Sequence, residues 1–126
     1  MVANKHYPLL LILLFFLVAS CHTKNGVDFY VTNKRDTLLH RVYLFPGSKP
    51  VYISNLKPGE TKKVFMDFSG ESKVDGSYSI HIDHSAKKQD NLFFGYYSNG
   101  IPSEKEFRIS IYSDTILITP VSRNGY

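Results

Sequence analysis

Residues 77–83 alternate without a break: Tyr78, Ile80 and Ile82 are apolar, and Ser77, Ser79, His81 and Asp83 between them are polar. A repeat of two sends successive side chains to opposite faces of a strand, so this segment predicts one dry face and one wet one. The pattern recurs in pieces too short for a helix. Residues 27–32 place Val27, Phe29 and Val31 on one side, and residues 38–45, 51–56, 61–68, 77–84, 92–97, 106–112 and 115–121 are similarly rich in β-branched and aromatic side chains. Turn-formers separate them, among them Lys57-Pro58-Gly59-Glu60, Asn99-Gly100 and Ser113-Asp114. Strands at spacings of roughly 8–12 residues predict an all-β chain, a single antiparallel β-sandwich of seven or eight strands over residues 27–121, with a frayed tail at 122–126.

The N-terminus has a different character. Residues 1–8 are short and mostly polar with one basic residue, Lys5, and residues 9–19 form an unbroken apolar run of eleven. As a helix, that run spans only about half of a 30 Å hydrocarbon core, which favours a secretory signal peptide over a spanning segment. The exit, Val18-Ala19-Ser20-Cys21, resembles the lipobox of bacterial lipoproteins. The resemblance implies diacylglycerol on the Cys21 thiol, removal of residues 1–20 before it, and residues 21–26 as a lipidated tether. Cys21 is the only cysteine, so no intramolecular disulfide can form, and a thioether would consume the one thiol. Two or three acyl chains suffice for stable anchoring. His22 stands where enterobacterial inner-membrane lipoproteins carry Asp. The resemblance therefore implies the outer membrane, facing the periplasm, where the host has two membranes.

The formal charge is +4 over 126 residues, and the lysines are scattered rather than clustered. This pattern gives no footprint for nucleic acid, and the compartment argues against it as well.

Two constellations bear on chemistry. His81 and Asp83 share a strand face, and with His40 they sketch an enzyme or metal-dependent site, although the spacing matches no known metal motif. No Gly-x-Ser-x-Gly elbow, phosphate-binding Gly loop or HExxH is present. The reading is therefore non-enzymatic, with no catalytic residue, metal or cofactor. The second constellation is Phe93-Phe94-Gly95-Tyr96-Tyr97-Ser98-Asn99. A period of two puts Phe94 and Tyr96 on one face and Phe93 and Tyr97 on the other. Phe93, Tyr97 and Asn99 are the expected ligand contacts, a stacking platform for a sugar ring or a peptide.

Val31-Thr32-Asn33, Val42-Tyr43-Leu44, Leu56-Lys57-Pro58-Gly59-Glu60-Thr61 and Gly76-Ser77-Tyr78 with Ile80, Ile82 and Asp83 resemble bacterial immunoglobulin-like domains of the cell-adhesion-related type over residues 27–83. The resemblance implies an immunoglobulin-like sandwich. The expectation is a lipid-anchored binding or assembly module that recruits an envelope protein or a glycan. Its alternative is a small envelope enzyme or metal-dependent factor using His81 and Asp83.

Overall fold

The computed structural model describes residues 25–46, 50–85 and 90–124. The expected signal peptide, Cys21 and most of the tether lie outside the described residues. Nine strands run in chain order: β1 (Gly26–Asn33), β2 (Leu39–Phe45), β3 (Val51–Leu56), β4 (Thr61–Asp67), β5 (Gly76–Ile82), β6 (Asn91–Ser98), β7 (Ile101–Pro102), β8 (Glu104–Ile111) and β9 (Ile116–Ser122). They form a four-stranded sheet, β4-β1-β8-β9, and a five-stranded sheet, β3-β2-β5-β6-β7. The chain is all-β, and the two sheets are arranged as a sandwich.

Alternation builds the core. Val27, Phe29 and Val31 of β1 and Phe107, Ile109 and Ile111 of β8 face Val42, Leu44, Tyr78, Ile80 and Ile82 of the other sheet, all of them buried. At its centre, Phe29 stacks on Phe107 with ring centroids 5.6 Å apart, and Tyr78 meets the Phe107 ring edge-on at 5.0 Å.

The structure corrects several expectations. β1 and β8 pair in parallel, Phe29 opposite Phe107, so the sandwich is not purely antiparallel. Both strands start at the pole where the chain enters, and β4 together with the whole second sheet lies in the long connection that a parallel pair requires. The first two strands of an immunoglobulin constant-type domain share a sheet. Here β1 and β2 lie in opposite sheets. β7, a two-residue strand paired to the end of β6, brings the count to nine. Gly26 belongs to β1 rather than to the tether. Ser122 ends β9, and the backbone of Arg123 bonds to Ser103 O at 3.3 Å, so residues 122–123 are tied down.

At the opposite pole, Asn33 interlocks two of the motif segments. It is fully buried. Its Nδ2 donates to Leu56 O at 2.9 Å and Thr37 O at 2.8 Å, and its Oδ1 accepts from Arg35 N at 2.9 Å. Its backbone accepts from Gly59 N at 2.7 Å and donates to Glu60 O at 3.0 Å. Gly59, at φ 78°, occupies the turn position that favours glycine, after a proline that presets its own φ. Next to this knot, the Arg35 guanidinium holds the fully buried Asp90 through two hydrogen bonds and donates from Nε to Tyr112 O at 2.8 Å.

β9 is a sheet edge without a charged side chain. Tyr112 N bonds to Thr115 O at 2.8 Å across the Ser113-Asp114 turn. Counting from that pair, residues 116, 118 and 120 turn their backbone groups to the free edge. At 120 the residue is proline, with no N–H to offer.

Ile80→Ala is expected to cost about 2–5 kcal/mol, and Ser79→Ala on the wet face less than about 0.5 kcal/mol, in chemical denaturation. Arg35→Ala, which takes the counter-charge from the buried Asp90 carboxylate, is expected to cost about 3–5 kcal/mol in the same measurement.

Candidate functional site: the outer face of the five-stranded sheet

The outward residues of three adjacent strands decide what this face presents. β5 contributes Ser77, Ser79 and His81. β2 contributes Arg41, Tyr43 and Phe45 on one flank, and β6 contributes Asn91, Phe93 and Tyr96 on the other. Register aligns them in rows: Tyr52, Tyr43, His81 and Asn91 cross the sheet in one, and Phe45, Ser79 and Phe93 in the next. The small polar side chains of β5 therefore floor a shallow trough between aromatic walls. Phe93 is 80% exposed, Tyr52 56% and Tyr96 50%.

Arg41 organises one wall. Its guanidinium lies 5.5 Å from the Tyr52 ring centroid and 5.8 Å from that of Tyr43, and Nη1 donates to Tyr43 Oη at 2.9 Å. That hydrogen bond, followed by the charge of Tyr43, raises the guanidinium above its ordinary pKa, with Asp83 and Tyr52 adding to the rise. Tyr43 packs on Phe45 at 6.4 Å and on His81 at 6.1 Å. At the other flank Tyr96 bonds to Asp75, which raises the phenol. The Asp75 carboxyl is lowered chiefly by the backbone N–H of Asn99, then by Tyr96 and Ser98.

The trough ends in a polar cleft of about 340 Å³ lined by His40, Arg41, Ser54, Asn55, Asp83 and His84. Two of its residues, Asn55 at φ 50° and His84 at φ 60°, adopt the left-handed backbone that side-chain-bearing residues avoid. His84 takes a turn position that favours glycine, with Ser85 N bonded to Ile82 O at 3.4 Å and His84 Nε2 lying 3.5 Å from Asp83 Oδ2.

The expected ligand contacts do not gather here. Phe93 faces the trough, but Tyr97 is buried against Phe68, with ring centroids 5.1 Å apart, and Tyr78, at 5.5 Å. Asn99 sits in the β6–β7 turn at φ 53°, its N–H bonded to Asp75 Oδ1 at 2.8 Å. The cause is a β-bulge. Tyr78 pairs with Phe94 and Gly76 with Tyr97, so β6 holds one extra residue between these pairs. Gly95 is that bulge, at φ 58°, and a Cβ there would stand 2.7 Å from Phe107 Cζ and 2.9 Å from Tyr78 Cδ2. The bulge reverses the phase of β6, sending Tyr97 inward and Tyr96 out.

His81 and Asp83 are also separated by their partners. His81 Nδ1 bonds to Asn91 Oδ1, whereas Asp83 pairs with His84 in the cleft beside His40. Among the described residues no three His, Cys, Asp or Glu side chains are grouped to hold a metal ion. Sequence reasoning missed Tyr43, Tyr52 and Arg41. Their signal lay in Arg41-Val42-Tyr43-Leu44-Phe45 and Val51-Tyr52-Ile53, where the alternate residues of a hairpin point outward together.

Comparison with protein-family models, curated proteins and solved structures finds no match for this chain. The functional reading therefore rests on the sequence and the site.

Tyr97→Ser is expected to destabilise the fold by about 3 kcal/mol or more, whereas Phe93→Ser changes it by less than about 0.5 kcal/mol. Thermal unfolding of the two variants, followed by circular dichroism, separates the bulged register from the unbulged one.

Proposed function

We propose that this chain is a lipid-anchored, non-enzymatic module of the bacterial envelope that holds a glycan along the outer face of its five-stranded sheet. Phe93 carries the reading, a phenylalanine 80% exposed on the outer face of β6, across the trough from Phe45 and in the row beside Tyr43 and Tyr52. Exposed aromatic surface gathered on one face marks an interaction site rather than ordinary surface scatter. The polar floor favours a glycan over an extended peptide. β2 and β5 are paired on both sides, so their face offers side chains and no free ladder groups. A peptide laid there would leave its own N–H and C=O groups unpartnered. A sugar chain can set ring faces on the aromatic walls while its hydroxyls bond to Ser79, His81 and Asn91.

The Val18-Ala19-Ser20-Cys21 exit supports lipidation at Cys21, and His22 after it supports the outer membrane of a two-membrane host. The likeness over residues 27–83 to immunoglobulin-like adhesion domains supports a sandwich and says little about role.

Two measurements test the reading. Cys21→Ala is expected to abolish fatty-acid labelling and membrane retention of the chain, and unchanged labelling would refute the anchor. Tyr52→Ala with Phe93→Ala in the full chain is expected to reduce co-sedimentation with purified, protein-free cell-wall glycan by about tenfold or more while the thermal midpoint stays in place. Undiminished co-sedimentation of that double variant would remove the trough as the binding surface.

A further inference from the structure

The chain enters the fold at one pole, and that pole has its own surface. Asn25 O accepts from Phe68 N at 2.8 Å, and the Arg123 guanidinium donates to Gly26 O. With the bond from Arg123 N to Ser103 O, these contacts fasten the start of β1, the β4–β5 connection and the β7–β8 corner into one rim. Val74 is 55% exposed on this rim and Ile101 57%. The two segments are joined through their backbones, Gly100 N donating to Val74 O at 2.9 Å. The neighbouring Asp75 carboxylate is occupied by Asn99 N at 2.8 Å and Ser98 Oγ at 3.0 Å, so this hydrogen-bonded turn holds the two aliphatic side chains at the rim.

We propose that this rim rests in the membrane interface, with Val74 and Ile101 placed among the lipid headgroups. The proposal depends on the reading of Cys21 as the lipidated residue. Four residue steps separate Cys21 from Asn25, a reach of about 14 Å at full extension. The headgroup zone adds roughly 5–8 Å to each side of the hydrocarbon core, so the entry pole is held at the bilayer surface. Aliphatic surface held there leaves water at the headgroup–acyl boundary, as the apolar face of an interfacial segment does. The short reach favours lipid over a second copy of the chain, because it puts the bilayer within contact of this rim whether or not another protein is near. The strands then stand away from the membrane, with the polar cleft at the distal end of the trough.

The chain contains no tryptophan, so one introduced at a chosen position reports alone. Ile101→Trp and Leu117→Trp are compared in the full lipidated chain, reconstituted in vesicles of phosphatidylcholine brominated on its acyl chains. Leu117 is similarly exposed at 54% but lies next to the distal β8–β9 turn. Emission from the Ile101→Trp variant is expected to shift to shorter wavelength and to lose about half its intensity relative to unbrominated vesicles. Emission from the Leu117→Trp variant is expected to lose less than about a tenth. Adding Val74→Asp to Ile101→Trp is expected to relieve part of the quenching. Equal response of the two indoles, or none from the rim indole in protein that floats with the vesicles, overturns the proposal. Quenching of the rim indole that changes with the protein-to-lipid ratio puts a second copy on the rim and also overturns it. If the protein does not float and the mass of its N-terminal fragment shows no acyl group, the anchor reading itself has failed and this inference falls with it.

Discussion

A single chain of buried polar contacts, Asn33 to Arg35 to Asp90, closes the distal end of this sandwich. Asn33 joins the end of β1 to the β3–β4 turn, and Arg35 joins the same segment to Asp90 and to the β8–β9 turn. Four connections that are remote in sequence are held by side chains on three residues. The described domain contains no cysteine, so no covalent bridge shares this task. Buried groups of this kind offset their desolvation only when each of them is partnered, and they specify one arrangement because any other leaves them bare. Val31-Thr32-Asn33 and Leu56-Lys57-Pro58-Gly59-Glu60-Thr61 are joined here: an asparagine and a proline-glycine turn that hold each other.

Much of the fold was legible from period two. The eight expected strands correspond to β1–β6, β8 and β9 within one or two residues at most ends, because each strand has one dry face and is bounded by turn-forming residues. Pairing was not legible in the same way. Nothing within residues 26–33 or 104–111 records that β1 and β8 run side by side in parallel, since the partner of a strand is chosen by the whole topology.

The site shows the same limit at the scale of one residue. Phe93, Phe94, Tyr96 and Tyr97 are similar in chemistry, yet Phe94 and Tyr97 pack into the core while Phe93 and Tyr96 face water. Strict alternation through Gly95 pairs Phe93 with Tyr97, and the bulge reverses that assignment. The glycine was visible in the sequence, but its left-handed conformation was not. The aromatic character of the face lay in Tyr43 and Tyr52, which alternation marks as outward only once the two strands are known to pair across residues 46–50.

Pro120 acquires a further meaning from the orientation proposed for the domain. Under that proposal anchored copies would meet in two dimensions, at an effective concentration far above that in free solution, and all would stand the same way up. Two β9 edges brought together under that restriction run in the same direction, so they can pair only as a parallel ladder and not as an antiparallel one. The uncharged edge would otherwise invite such zippering. A proline on the free side of β9 interrupts the ladder partway along its length. In that proposed orientation the residue that costs the protomer nothing in its own sheet would keep crowded copies from joining through β9.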